Sequence, residues 1–575
     1  MSPHHAHRPR HTRHSLFSPQ NLFSTVNAIT IAVIFIQLQT LQAAPPAPPV
    51  APDSLAALTF TPGPLIREVP PGFFGVHDSR LYGVGRTKNH ADAASIDFIR
   101  DIGFESLRGP DGTGSNYYLW REGRAINSRD ADYKKYYGDH IVGMIERINI
   151  RPGYPPLTMQ DIYQPAATLD LPYILCLNVS SEPVASLVEQ VKLARTLTRQ
   201  PVRVELGNEL YALINNTAYP KVSDYVQRCA EIHAALKAID PAIQVAVIGV
   251  GADLEGRVNA DPEHAMNNYT VDMETTQKGR LDLWNQSFRQ RPEIYDAVTV
   301  HISPPVNEMT SFTIDSLMDY LFAFNTSSLA KLKTQAASFP GKQLWVTEWG
   351  FLPTGMLKTE GTERDRLQFL KTPGMAIARA DRLLSMTTAP GVSITNYHDL
   401  VGGNGFGVGQ RKPGTGDPGK IVKLPTAHTF KAIGSLLRSH RHAYALTTDA
   451  ATDTCVNRDI AVRYTRDIIS LSPISAYAFG DAIAPRQTVF INRTATPRVV
   501  ALAGSKLRTT WAYGGPDPLP HFKQNPNKWT DLPVVNPAPE ILPPDSPATD
   551  TIELRPYSMT ICELVPSPPP PATAH

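Results

Sequence analysis

From about Gly72 onward the chain repeats one hydropathic plan: a short apolar run, a polar loop, then apolar positions at three- and four-residue spacing. The apolar runs are Gly72–His77, Glu105–Pro110, Leu171–Val179, Val202–Leu206, Ile243–Val250, Ala297–Ile302, Gln343–Thr347 and Val392–Tyr397. Each has strand length, and the stretches between them, such as Ala91–Ile102, Val184–Thr198, Ser223–Ile239, Ile314–Phe324 and Arg364–Ser385, carry helical periodicity. Strands separated by helices run parallel. Eight such units close into a (β/α)8 TIM barrel, expected over residues 72–424. The Pro- and Tyr-rich stretch Tyr133–Pro165 is too irregular for a tight crossover and reads as an insertion over the rim.

Beyond Leu424 the pattern changes. "IAVRYTRDIISLS", "QTVFINRT", "RVVALAG" and "TIELRPYSMTICELV" are β-rich runs separated by Pro and Gly turns, which predicts an antiparallel β-sandwich over 425–566. The segment 55–71 precedes the first barrel strand and is expected to join that sandwich. Residues 567–575 form a Pro-rich tail that reads as disordered.

Composition narrows the classes of function. A chain of 575 residues with 42% hydrophobic and 8% aromatic residues is globular and large enough for two domains. Its 55 Lys and Arg nearly balance 53 Asp and Glu, leaving a formal charge of +2 and no polyanion-binding surface, so nucleic acid is not an expected partner. The basic, His-rich start, the apolar run Ala28–Ile36 and Leu41-Gln42-Ala43-Ala44 resemble a secretory signal over 1–44 with a long basic region, or an uncleaved signal anchor. A Pro-rich linker follows over 45–54. If the signal is cleaved, the protein is expected outside the cell with no stable membrane insertion. In such an oxidising compartment Cys455 and Cys562 are expected to form a disulfide, while Cys176 and Cys229 lie in apolar patterns and read as core thiols. Six Asn-x-Ser/Thr sequons, at Asn178, Asn215, Asn268, Asn285, Asn325 and Asn492, fit a secreted protein, although Asn178 ends a predicted strand and is not expected to carry glycan.

In a barrel the C-terminal strand ends face one common pit, and here they carry Arg108, Asn178, Asn208, Glu209, His301, Glu348, Trp349, Asn396, Tyr397 and His398. Glu209 closes the fourth strand and Glu348 the seventh, on opposite sides of the pit. Two facing carboxylates are the minimum equipment for glycoside hydrolysis, one ionised to attack the anomeric carbon and one protonated to serve the leaving oxygen. Arg108 is a natural partner for the ionised one, assigned to Glu348, and that charge raises the proton affinity of Glu209. Asn208 is placed to donate to a sugar hydroxyl, and Trp349 offers a flat apolar face for a pyranose.

"VELGNELY" and "LWVTEWG" resemble the acid/base and nucleophile strand ends of the retaining glycoside hydrolases of clan A, and "ESLRGPDGTGSNYYLWREG" resembles their second-strand segment with its Arg. With a sandwich ending in "LRPYSMTICEL", the chain looks most like family 79, the heparanase and β-glucuronidase group, with families 30, 39 and 51 as near neighbours. The resemblance implies Glu209 as acid/base, Glu348 as nucleophile, and Arg108 and Asn208 as support; His301, Trp349 and Tyr397, from their places at the strand ends, are further expected contacts to the substrate. It implies no metal and no organic cofactor. The expected substrate is an oligosaccharide, polysaccharide or glycoside, with a β-glucuronide first and a neutral sugar (β-xyloside, β-glucoside or α-L-arabinofuranoside) as the alternative. A barrel that binds carbohydrate without cleaving it is the rival from another class. The chain departs from its relatives at "VHISPP", where Ser303 stands in place of a Tyr, and at Pro110-Asp111-Gly112, where many relatives have a Gly pair.

Overall fold

The computed structural model describes residues 57–78, 93–127, 130, 133–137, 156–212, 217–251, 277–302, 313–350, 370–401, 406–411, 421–448, 458–462, 467–520 and 536–566. The expected signal or anchor, the Pro-rich linker, the C-terminal tail and Cys455 lie outside them. Among the described residues no helix is long and apolar enough to cross a membrane.

After an opening strand β1 (Leu58–Glu68), strands and helices alternate through β2 (Phe74–His77), α1 (Ala93–Ile102), β3 (Ser106–Gly109), α2 (Met159–Leu169), β4 (Tyr173–Cys176) and α3 (Val184–Leu197). The series continues through β5 (Arg203–Glu205), α4 (Val222–Ile239), β6 (Gln244–Ile248), α5 (Gln277–Arg289), β7 (Ala297–Ile302), α6 (Ile314–Ser338), β8 (Gln343–Trp349), α7 (Pro373–Thr387), β9 (Val392–Tyr397) and α8 (Pro425–Ser439). Strands β2 to β9 pair in parallel, in chain order, and β9 pairs back onto β2, so the sheet is a closed eight-stranded barrel.

Local chemistry sets where the helices start. Thr158 and Asp161 cap α2 reciprocally, Thr313 and Ser316 do the same for α6, and Pro373 and Pro425 stand in the first turns of α7 and α8, where a missing N–H costs nothing. Inside the barrel Ile174, Ala246, Ala297, Trp345 and Ile394, from five different strands, pack as one buried cluster. Side chains from so many strands meet only across the barrel axis. This apolar floor leaves the C-terminal strand ends free to carry polar groups.

The second sheet has nine strands and is mostly antiparallel. It comprises β1 together with β10 (His442–Thr448), β11 (Ile474–Gly480), β12 (Pro485–Asn492), β13 (Arg498–Leu502), β14 (Ser505–Gly514), β15 (Glu540–Ile541), β16 (Thr551–Leu554) and β17 (Ser558–Pro566). The order is β15-β14-β17-β12-β11-β10-β1-β13-β16, with a further β13–β14 contact that folds the sheet toward itself. β1 pairs antiparallel with β10 and parallel with β13, which ties the segment before the barrel to the sheet after it. The change of hydropathic pattern at 424 comes earlier than this sheet, because α8 packs on α1 and α7 as the barrel's last helix.

The two layers meet along α7, which is buried over its whole length. Its Asp381 carboxylate accepts hydrogen bonds from Ser475 Oγ (2.6 Å), Tyr477 Oη (2.9 Å), Asn325 Nδ2 (3.1 Å) and Arg493 Nη2 (2.8 Å), so residues of the barrel and the sheet converge on one buried acid.

Burial decides against one expectation and narrows another. Cys562 is a free thiol rather than half of a disulfide: it points into the sheet's apolar core with Leu58, Phe490 and Leu507, 3.8 Å from Thr509 Oγ1. Four of the six sequon asparagines, Asn178, Asn285, Asn325 and Asn492, are also buried, with their amides hydrogen-bonded inside the fold. A folded chain cannot carry glycan there. Asn215 and Asn268 lie outside the described residues.

Candidate active site

The polar layer above the barrel floor is organised by Arg108, fully buried at the end of β3. Its Nε donates to Glu205 Oε2 at 2.7 Å, one terminal nitrogen to Glu348 Oε1 at 2.6 Å, and the other to Asn208 Oδ1 at 2.8 Å. A planar guanidinium has the rigid fork needed to fix three acceptors at once, which an ammonium could not do. Burial works against its charge but the two carboxylates outweigh it, so Arg108 stays protonated.

Glu205 was not anticipated by the sequence reading, although it stands inside the strand that raised interest in Glu209. It is wholly buried and also accepts a hydrogen bond from Thr347 Oγ1 at 3.0 Å. His77, at the end of β2, was missed as well. It too is wholly buried, with Nε2 3.4 Å from Arg108 Nη1 and Nδ1 2.6 Å from His398 Nδ1. In both cases the signal was a titratable residue inside an apolar strand.

The backbone after β5 explains the sequence Gly-Asn-Glu. Gly207 takes φ 89°, and a Cβ there would lie 2.6 Å from Leu210. Two residues on, Glu209 itself adopts φ 47°, an uncommon conformation for a residue with a side chain. The turn is clamped by Asn116, whose side chain accepts from the Asn208 amide and donates to the Asn208 carbonyl, both at 2.8 Å. Asn208 is thereby held beside Arg108 with its own Nδ2 3.4 Å from Thr113 Oγ1.

Glu209 and Glu348 come together as the strand ends predicted. His301 lies between them, its Nδ1 3.0 Å from Glu209 Oε1 and 3.7 Å from Glu348 Oε2. Those two oxygens are therefore no further apart than 3.0 Å and 3.7 Å laid end to end. Retaining glycosidases hold their carboxyls about 5–5.5 Å apart and inverting ones about 6.5–9.5 Å, so this bound takes in the first range and leaves out nearly all of the second. Glu209 is the more open of the pair, 37% exposed against 16% for Glu348, and Tyr211 donates to it at 3.2 Å.

Electrostatics separates the two acids. Burial disfavours charge on Glu348, but His301 and the Arg108 guanidinium beside it hold it well below the usual carboxylate range. It is ionised at any working pH. Burial likewise opposes charge on His301, yet the Glu348 and Glu209 carboxylates prevail and raise its pKa. His77 goes the other way: burial, reinforced by Arg108, lowers its pKa and keeps it neutral.

Two expected substrate contacts do not face the pit. Trp349 is fully buried, edge-on to Tyr397 at 5.0 Å and packed on Phe430, so it walls the barrel core and offers no face to a sugar. Tyr397 is buried too, and its hydroxyl donates to the Phe406 carbonyl at 2.7 Å. Apolar surface at a strand end is worth more inside the core than at a wet rim.

His77, His398 and Glu348 offer nitrogen and oxygen donor atoms within 4.8 Å of one another, the spacing of a metal cluster. The 2.6 Å between the histidines is nonetheless a hydrogen-bond distance. Two nitrogens at about 2.0–2.1 Å from a tetrahedral zinc would stand about 3.3 Å apart. The pair as arranged is hydrogen-bonded to itself.

No protein-family model matches the chain, and no characterised protein matches it in sequence. Solved structures do resemble it. A family 51 α-L-arabinofuranosidase from Bifidobacterium longum superimposes with a TM-score of 0.60 at 15% identity, over 90% of this chain and 100% of that one. An α-L-arabinofuranosidase from Thermotoga maritima gives 0.57 at 13%, over 88% and 99%. A 4-O-α-L-rhamnosyl-β-D-glucuronidase from Fusarium oxysporum gives 0.53 at 12%, over 88% and 100%. At such identities the likeness speaks to architecture: the chain has the barrel-plus-β-sheet fold of these clan A glycoside hydrolases over 88–90% of its length.

Proposed function

We propose that the protein is a retaining glycoside hydrolase. The observation that carries this reading is the pair of glutamates on opposing strand ends, both within reach of His301, which caps the distance between their facing oxygens below nearly all of the inverting range. Glu348, ionised by its cationic surroundings, attacks the anomeric carbon while the glycosidic C–O bond breaks. Glu209 gives its proton to the departing oxygen. Glu209 and His301 form a hydrogen-bonded pair, and the more open position of Glu209 suits it to deliver that proton toward the leaving group. In the second half, Glu209 takes a proton from water, the resulting oxygen attacks the same carbon, and Glu348 departs. Arg108 holds Glu348 in place, and Glu205 and Asn208 hold Arg108.

A neutral sugar is the substrate this site suits best. The guanidinium of Arg108 already serves two carboxylates, and the Tyr397 hydroxyl is engaged by a carbonyl, so neither is open to a uronic acid. Two of the similar structures are α-L-arabinofuranosidases, which makes an α-L-arabinofuranoside the first probe. A β-glucuronide is the second reading, supported by the likeness to the Fusarium oxysporum glucuronidase. Comparing p-nitrophenyl α-L-arabinofuranoside, β-D-xyloside, β-D-glucoside and β-D-glucuronide tests both readings, and proton NMR of the first-formed product tests retention. Release of the opposite anomer first would rule out the double displacement. Binding without cleavage of any of them would favour a carbohydrate-binding protein.

A further inference from the structure

His77 and His398 form a buried-to-open pair beside Glu348. The contact between their Nδ1 atoms is 2.6 Å, so one Nδ1 carries the proton and the other accepts it. Arg108 decides which. Its Nη1–H faces His77 Nε2 at 3.4 Å, and a guanidinium has only donors, so that nitrogen must present its lone pair. The His77 proton then sits on Nδ1 and points at His398 Nδ1. The opposite arrangement would set an N–H of His77 against an N–H of Arg108 inside a fully buried layer, where neither could turn to water.

With its Nδ1 accepting, a neutral His398 carries its proton on Nε2. That nitrogen lies on the far side of the ring, has no hydrogen-bond partner among the described residues and is open to solvent, in a side chain 29% exposed whose Nδ1 is 3.9 Å from Glu348 Oε2. Glu348, Arg108 and His301 are the charged groups around the pair, and Asp399 follows it in the chain. A donor of fixed tautomer beside the attacking carboxylate is chemistry for a hydroxyl oxygen.

We propose that His398, fixed as its Nε2–H tautomer by the chain Arg108, His77, His398, donates a hydrogen bond to a sugar hydroxyl next to Glu348. His77 is a positioning residue that acts only through His398. This rests on the glycoside hydrolase reading of the site.

Amide substitutions test the geometry, because a Gln amide reaches roughly where Nε2 lies and an Asn amide roughly where Nδ1 lies. At position 398, Gln supplies the missing donor and Asn does not; at position 77 the order reverses. His398→Phe is expected to lower kcat/KM about 10- to 100-fold with little change in melting temperature. His398→Gln should restore most of that loss and His398→Asn little, while His77→Asn should outperform His77→Gln. Long-range proton–nitrogen NMR of histidine-labelled protein, assigned with the same variants, should show His77 protonated on Nδ1 and His398 on Nε2 at neutral pH. Reversed tautomers, a doubly protonated His398, or equal losses for Gln and Asn at both positions would overturn the proposal alone. The stated tautomers without cleavage of any glycoside would overturn the hydrolase reading, and the substrate contact with it.

Discussion

Arg108→Met is the most informative single change, because it removes a charge that two buried carboxylates share while nearly keeping volume. In the native site Glu205 and Glu348 stand 2.7 Å and 2.6 Å from that guanidinium, with Arg108 and Glu205 wholly buried. Removing one partner of a buried ion pair costs about 3–5 kcal/mol, since the charge left behind has lost both water and counterion. At about 2.1 cal/mol/K of unfolding entropy per residue, a cooperative unit of roughly 500 residues loses about 1 °C per kcal/mol, so the melting temperature should fall by about 3–5 °C at pH 7.

The pH dependence carries a sharper signature. The folded-state pKa of Glu348 is depressed, so it contributes stability that is present above the unfolded carboxylate value and lost as pH falls through the folded one. Without Arg108, the burial of Glu348 is opposed by one cation fewer, so its pKa rises, and protonation relieves the variant before it affects the native protein. The stability deficit should therefore narrow from pH 7 to pH 5. Hydrolysis of the best aryl glycoside should drop at least ~100-fold, because the attacking carboxylate loses its fixed position. Urea titrations at both pH values check the thermodynamic part. A deficit below about 1 kcal/mol, or one that widens on acidification, would refute the argument that Arg108 compensates buried negative charge.

Three further outcomes follow from the same geometry. Glu348→Gly should abolish turnover and regain part of it in azide, whereas Glu209→Ala should spare glycosylation by substrates with good leaving groups; a swap of these behaviours would exchange the two roles. Gly112→Ala would place a Cβ 2.5 Å from Glu348 Oε1, so kcat should fall while the melting temperature stays within about 2 °C; unchanged kcat would show that the loop yields instead. Asp381→Ala leaves Arg493 buried without its acid at the seam between barrel and sheet and should cost about 3–5 kcal/mol in calorimetry, with Asp381→Asn costing less; equal melting curves would count against that seam as a cohesive element.

Architecture was readable because it depends on periodicity. All eight barrel strands fall on apolar runs, and a parallel barrel with helices outside follows from their alternation with helical patterns. Helix α8 was misplaced because its pattern begins at Pro425, where the hydropathic grammar changes, and only packing on α1 and α7 assigns it to the barrel. The disulfide failed for a different reason. Cysteine spacing says nothing of direction, and a residue on β17 alternates between the sheet's core and its outer face; Cys562 falls on the core side.

The site residues divide along a related physical line. Glu209, Glu348 and Arg108 could be found because a charged group at the end of an apolar strand has no role in packing. Glu205 and His77 obey the same logic more strongly, since a titratable group within such a strand can be buried only if partners await it. Arg108 is that partner for both, and it reaches them from a different strand. Trp349 and Tyr397 show the converse: aromatic residues gain most where they are enclosed, so their place at the strand ends could not tell a sugar platform from a core wall. In this barrel the polar strand residues, rather than the aromatic ones, mark where the apolar floor ends and the reacting layer begins.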